Sequence, residues 1–198
     1  MIKVWASLTS LMVFMLISLN TYGAGKSLPL TPLDKYEFAK TKEAFAILEI
    51  SAGGTAPSIE LSKLDKNPEN YEFTINRRQR VNYTLDLKDV EDGYYVIELP
   101  EGLYQIMKVN APLFNLPFRY DTSGRIIWRW SIKQNYINYL GKLNIHQDRS
   151  EDSIAAELMN RFSQSLPELT TALSKASVTD PIRIGLGYRD DFYEELQQ

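Results

Sequence analysis

Tyr71, Phe73 and Ile75 alternate with Glu72 and Thr74, and further on Val81, Tyr83, Leu85 and Leu87 alternate with Asn82, Thr84 and Asp86. A period of two sends the apolar set to one face of a strand and the polar set to the other. Ile59 to Leu64 repeats the pattern, and Ala44 to Ile50 is a compact apolar run closed by Ser51-Ala52-Gly53-Gly54. That run reads as a buried strand ending in a turn. After the Asp92-Gly93 turn, Tyr94–Leu99 and Leu103–Val109 flank Pro100-Glu101-Gly102 and are expected to form an antiparallel hairpin. Phe114–Tyr120 and Arg125–Ile132 flank Asp121-Thr122-Ser123-Gly124 as a second hairpin. Tyr136–Ile145 is a further strand, with a bulge expected at Gly141. A short helix is expected over Tyr36–Lys42.

From Ser150 the period changes. Ile154, Leu158 and Phe162 are spaced by four, which suits an amphipathic helix. Pro167 interrupts it, and Ser165 is placed to cap a second piece whose Leu169, Ala172 and Leu173 face inward. Ile182–Leu186 adds an edge strand, and Asp190–Gln198 is an acidic tail. Short strands separated by turns and followed by one helical stretch predict a mainly β chain: an antiparallel β-sandwich with a C-terminal helical segment. The expected divisions are a signal peptide over 1–23, an N-terminal lead over 24–42 and the sandwich over 43–147. A helical appendage packed on the sandwich follows over 148–176, then the edge strand and acidic tail over 177–198.

The opening segment is apolar for a different reason. Lys3 is the only charge before Lys26, Leu11–Leu19 is almost wholly apolar, and Gly23, Ala24 and Gly25 follow. A positive start, a short apolar stretch and a small-residue exit describe a secretory signal peptide, with cleavage expected after Gly23 or Ala24. The alternative is an uncleaved signal anchor. Ser7, Thr9, Ser10, Ser18, Asn20 and Thr21 dilute the stretch below a bilayer span of about 20 apolar residues. A lipoprotein anchor needs a cysteine, and the chain has none. The expected product is periplasmic or secreted, with no stable membrane insertion after cleavage.

Composition narrows the chemistry. Among 198 residues there is no Cys and one His, so zinc ribbons, disulfides and cysteine nucleophiles are excluded, and neither a metal nor a cofactor is expected. A net charge of −3 argues against a nucleic-acid partner, which requires a basic face. Gly25-Lys26-Ser27 imitates the end of a phosphate-binding loop but lacks its upstream glycine. No Gly-x-Ser-x-Gly accompanies His146. Ser131 and Lys133 have dyad spacing, which ordinary strand decoration explains better. Tyr36/Lys40 and Tyr104/Lys108 match a dehydrogenase spacing without its glycine-rich loop, and in a strand the second pair stands about 13 Å apart. Glu49, Glu60 and Glu98 fall in strands and make a glycosidase pair only if they converge within about 5–9 Å. Asp86, Asp89, Glu91 and Asp92 lack EF-hand spacing.

Leu99-Pro100-Glu101-Gly102-Leu103-Tyr104 and the strand Tyr136-Ile-Asn-Tyr139-Leu-Gly141-Lys-Leu-Asn-Ile145 carry a resemblance. The segment Gly93–Ile145 resembles exported β-sandwich domains of the carboxypeptidase regulatory-like type, within the transthyretin-like (prealbumin-like) group. Glu101 stands where the group's motif has a second proline. The resemblance implies a prealbumin-like sandwich and a non-catalytic binding role at the bacterial envelope, with Pro100, Gly102 and Tyr104 as turn residues. It transfers no catalytic residue.

Two surface features carry the remaining functional expectation. Arg77, Arg78 and Arg80 form a basic turn suited to an anionic partner such as lipid head groups or acidic glycan, or simply a solvated loop. Trp128 and Trp130 share a strand face and, with Tyr120, either fill the core or stack on sugar rings. The expected function is therefore an exported, non-enzymatic module that binds an envelope protein or glycan. Carbohydrate or small-ligand binding by the aromatic face, and a hydrolase with an unrecognised site, are the alternatives.

Overall fold

A computed structural model describes residues 25–38, 43–52, 57–66, 73–75, 82–111, 118–148 and 153–186. The alternating segments become strands β1 (Lys26–Leu28), β2 (Thr31–Pro32), β3 (Ala44–Ser51), β4 (Ser58–Lys66), β5 (Phe73–Ile75) and β6 (Tyr83–Asp86). They continue as β7 (Gly93–Leu99), β8 (Gly102–Asn110), β9 (Arg119–Asp121), β10 (Arg129–Ile132), β11 (Ile137–Asp148), β12 (Ser153–Met159) and β13 (Ile182–Ile184). One helix, α1, spans Phe162–Lys175, and 3₁₀ turns cover Leu33–Lys35 and Ile126–Trp128.

The strands form a sandwich, as the alternation predicts, but its two sheets are mixed rather than antiparallel, with β1–β6, β3–β11 and β11–β13 running parallel. The first sheet runs β1-β6-β4-β8-β10, with β5 on β4 and β9 on β8. The second runs β12-β11-β3-β7-β2, with β13 on β11. Between them lie Ile59, Leu61, Leu85, Tyr104, Ile106, Trp128 and Trp130 from one side and Ala46, Leu48, Ile50, Ile97, Leu140 and Leu143 from the other. Each such side chain contributes about 1.5–3 kcal/mol on burial. A second apolar layer covers the outer face of the second sheet, where Ile47, Val96, Ile137 and Tyr139 meet Leu33, Leu169 and Leu173. Burial on both faces is why Ala44–Ile50 reads as a continuous apolar run rather than an alternating one.

Five further expectations are corrected. The first hairpin does not form: β7 pairs with β3 and β2, and β8 with β4, β9 and β10. Pro100–Gly102 instead carries the chain across the core, and the Tyr104 hydroxyl fixes that arch by donating to the Pro100 carbonyl at 2.7 Å. The second hairpin fails likewise, because β9 and β10 both pair antiparallel with β8, at Asp121↔Lys108 and Arg129↔Gln105. They are one interrupted strand. The helix expected after Ser150 is β12, antiparallel to β11 from Ser153↔Asp148 to Met159↔Lys142. The helix begins at Phe162 and runs through Pro167, with Ser165 inside it rather than capping it, while Leu169 and Leu173 are buried as expected. The helix over Tyr36–Lys42 is replaced at its start by the 3₁₀ turn and an extended Tyr36, and residues 39–42 lie outside the described residues. The bulge at Gly141 is present, with the β11–β3 register shifting between Tyr139 and Lys142 and Gly141 at φ +90°.

Both open sides of the sandwich are clamped by segments that change sheets. On one side β1 pairs with β6 of the first sheet, and shortly afterwards β2 pairs with β7 of the second. On the other, β13 lies parallel to β11, the Gly185 N–H donates to the Tyr139 carbonyl at 2.7 Å, and the Gly185 carbonyl accepts from Ser131 N–H at 2.7 Å. Leu186 then makes an antiparallel bridge to Trp130. A Cβ on Gly185 would sit 3.0–3.2 Å from Leu140 and from the carbonyls of Tyr139 and Ser131, so the clamp needs glycine.

Candidate interaction edge

The interrupted strand β9–β10 is the edge of the first sheet, and the interruption is built by side chains. Thr122 still bonds β8 through N–H to the Met107 carbonyl at 3.0 Å, and its hydroxyl donates to the Ile106 carbonyl at 2.6 Å. The chain then leaves the ladder for the 3₁₀ turn. The fully buried Gln105 amide fills the gap: its Nε2 lies 2.9–3.2 Å from the carbonyls of Ile106, Thr122, Arg125 and Trp128. Its Oε1 accepts from Arg129 Nε at 2.9 Å. Four acceptors around one nitrogen and a guanidinium at the oxygen fix the orientation of the amide.

Leaving the ladder changes which side chains face water. An uninterrupted strand over Arg125–Ile132 would bury Ile126 with Trp128 and Trp130. Instead Ile126 is 67% and Ile127 49% exposed, and Phe118, before β9, is 40% exposed. Arg119 and Arg125 are exposed and Arg129 half-buried beside them. The Arg125 guanidinium lies 4.9 Å from the Tyr120 ring centroid and donates to its hydroxyl, and the Tyr120 ring lies 6.1 Å from Trp128. This stack runs from solvent to core. Asp121 accepts from Ser123 N–H at 2.9 Å and from its hydroxyl at 2.6 Å, which holds the carboxyl below its usual value. Three arginines and Lys108 outnumber Asp121 and the Glu60 that lies opposite Lys108, and make a cationic strip on a chain of net charge −3.

The edge also presents backbone. Ala111 N–H donates to Phe118 O and Thr122 N–H to Met107 O, so Phe118, Tyr120 and Thr122 face β8. Antiparallel pairing alternates, so the amides and carbonyls of Arg119 and Asp121 face away from β8. Among the described residues no strand pairs on that side of β9.

Other residues singled out in the sequence fall elsewhere. Trp128 and Trp130 are 2% and 0% exposed, so their rings are core and offer no stacking face, while Tyr120 is half-buried under Arg125. Arg77, Arg78 and Arg80 lie outside the described residues, as do residues 1–23, where a signal peptide is expected, and the acidic tail. The three carboxylates do not converge. Glu60, on the first sheet, accepts from Asn110 at 3.0 Å. Glu49 pairs with Lys142 at 2.9 Å and accepts from the Ser165 hydroxyl at 3.2 Å. Glu98 accepts from the Tyr36 hydroxyl at 2.6 Å, four strand positions from Glu49's level on β3. Lys133 is exposed beyond the end of β10, while Ser131 is held in the clamp. His146 is exposed on β11. Asp92 accepts from Ser51 and Ala52, and Asp86 from Lys88 N–H, which are turn contacts. Among the described residues no group of carboxylates and His is placed to hold a metal, and no helix is long and apolar enough to cross a membrane.

Among the described residues, concavities flank the sandwich. One of about 760 Å³ lies between α1 and the Leu33–Tyr36 segment, lined by Asp34, Tyr36, Glu168, Thr171 and Lys175 among others. Another, about 310 Å³, is lined by Lys26, Lys63, Asp65, Asn82 and Tyr83. Beneath α1, Tyr139 and Ser165 share a hydrogen bond of 3.1 Å and Tyr94 donates to Glu168 at 3.2 Å. Burial pushes the Tyr94 phenol up to about 12. Gln105, Ile126 and Ile127 are the residues that strand periodicity missed. The one sequence signal for them is the adjacent pair of isoleucines, which a strict alternation does not allow. Comparison with protein-family models, curated proteins and solved structures gives no match for this chain.

Proposed function

We propose that this chain is an exported, non-catalytic β-sandwich of the bacterial envelope that binds a protein partner through the β9–β10 edge. The observation that carries the reading is the exposure of Ile126 and Ile127 between Arg119, Arg125 and Arg129, beside outward-facing backbone of β9. Exposed sheet edges are ordinarily blunted, because they recruit other chains. Here the blunting charge is mainly cationic, with Asp121 the one carboxylate among three arginines, and it brackets apolar side chains. That combination suits an extended acidic segment with aromatic or aliphatic anchors, added as a strand. The prealbumin-like resemblance of Gly93–Ile145 supports the binding role, and the Lys3–Gly25 pattern supports export.

The test is capture from an envelope fraction by the full chain and by an Ile126→Asp/Ile127→Asp variant. Both substitutions are at exposed positions and should leave stability within about 0.5 kcal/mol. A partner retained by the native chain and lost by the variant supports the reading, provided a photo-crosslinker at Ile126 attaches to that same protein. Equal capture by both forms refutes it.

A further inference from the structure

The Trp130–Leu186 bridge sets a direction that the edge can use. It is antiparallel, so residues following Leu186 advance along β10 toward Arg129, the 3₁₀ turn and β9. Twelve residues, 187–198, follow it, and twelve residues separate Arg129 from Phe118 inclusive. An extended run of that length reaches about 40 Å, enough to pass the whole edge. Its composition answers the edge group by group. Gly187-Tyr-Arg-Asp-Asp-Phe-Tyr-Glu-Glu-Leu-Gln-Gln198 carries four carboxylates against one arginine, with Tyr188, Phe192, Tyr193 and Leu196 among them. The edge carries Arg119, Arg125, Arg129 and Lys108 around Phe118, Ile126 and Ile127.

We propose that residues 187–198 are the chain's own occupant of the β9–β10 edge, bound in cis next to the Leu186 bridge and displaced when a partner segment binds. The inference rests on the proposed binding role for its regulatory meaning, but the occupancy stands on the bridge and the charge match. Tethering supplies an effective concentration of about 1 mM, so an intrinsic affinity in the 10–100 μM range keeps the edge mostly covered. A partner must then out-compete an acidic, aromatic segment, which selects for stronger segments of the same chemistry.

The experiment uses the full chain, a chain ending at Leu186 and a fluorescent peptide of residues 187–198, with binding read by anisotropy at low salt. The peptide should bind the shortened chain and bind the full chain at least tenfold more weakly. Arg119→Glu/Arg125→Glu in the shortened chain should weaken binding at least tenfold, and raised salt should weaken it too. No binding up to about 1 mM peptide, equal binding to both chains, or indifference to the arginine substitutions would overturn the inference. So would a full chain that sediments as a dimer when the shortened chain is monomeric, since the segment would then be exchanged between copies. No partner enters these measurements. Peptide binding without capture from the envelope fraction would sink the binding role and leave the cis occupancy standing; capture without peptide binding would do the reverse.

Discussion

Replacing Gln105 tests whether the interruption of the edge strand is built by one amide. Its nitrogen has two hydrogens and four carbonyls within 3.2 Å, so in the native protein two bonds are shared among four acceptors. Gln105→Leu keeps the volume roughly constant and removes those bonds. The Ile106, Thr122 and Arg125 carbonyls keep donors in the Thr122 hydroxyl, Arg125 N–H and Trp128 N–H, so the buried Trp128 carbonyl loses most. A buried polar group that loses its partner costs about 1–3 kcal/mol, and with one carbonyl left short the expected loss is about 1–3 kcal/mol. Arg129 Nε loses its acceptor as well, but it is half-buried and water replaces the bond. Urea unfolding reads the loss as a lower midpoint at unchanged slope. Gln105→Glu gives a second, independent reading. Its ionised form keeps one oxygen on the half-buried Arg129 Nε but turns the other toward four carbonyl oxygens. The carbonyls outweigh the one partly solvated cation, so the folded state favours the protonated acid and raises its pKa above the unfolded value. Stability relative to native is then highest below about pH 4.3 and falls as pH rises through the folded pKa. A Gln105→Leu loss under about 0.5 kcal/mol, or a Gln105→Glu deficit that does not grow with pH, would falsify the assignment.

Other outcomes follow from the same contacts. Gly185→Ala should cost about 1–3 kcal/mol in urea unfolding, because its methyl group crowds two carbonyls and Leu140. Leu169→Ala, which removes a fully buried side chain between α1 and the second sheet, should cost about 2–5 kcal/mol. Burial raises the phenols of Tyr36, Tyr83, Tyr94, Tyr95, Tyr104 and Tyr139. Their contribution to stability is complete below the unfolded value near 10 and is lost as pH climbs through the raised values. Tyrosinate absorbance should therefore rise in two stages, the second coinciding with loss of near-ultraviolet dichroism; a single stage finished by about pH 11 would refute it. If the chain is exported as proposed, the mature protein recovered from the envelope should begin at Ala24 or Gly25 on N-terminal sequencing, and an intact Met1 would refute that.

Strand positions were legible because alternation is local, and β3, β4, β6, β7, β8 and β11 lie where the periodicity places them. Partners were not legible. The turn Pro100–Gly102 has the composition of a hairpin, and only competition for β8 by β4 on one side and β9–β10 on the other turns it into an arch. Ile154 and Leu158 were ambiguous for a different reason: residues four apart satisfy a period of two as well as one of 3.6. The exposed Ser153, Ala155 and Glu157 alternating with Ile154, Ala156 and Leu158 show that the period of two prevails, since β11 offers an unfilled edge there. The candidate edge was half visible. Its arginines and Tyr120 stood out, but the exposure of Ile126 depends on Gln105, distant in sequence and unremarkable by type.

The clamp at Gly185 also bears on the order in which the molecule can be finished. β3 lies beside β11, and β11 beside β13, as parallel pairs whose members are separated by long stretches of chain: Phe45 meets Ile137, and Ile137 meets Ile182. Contacts that close large loops form late and slowly. The side of the sandwich at β10 and β11 therefore stays open until residues 182–186 have emerged from the ribosome. The position of one glycine thus acts as a timer, postponing closure of that side of the sandwich until residues 182–186 are in place.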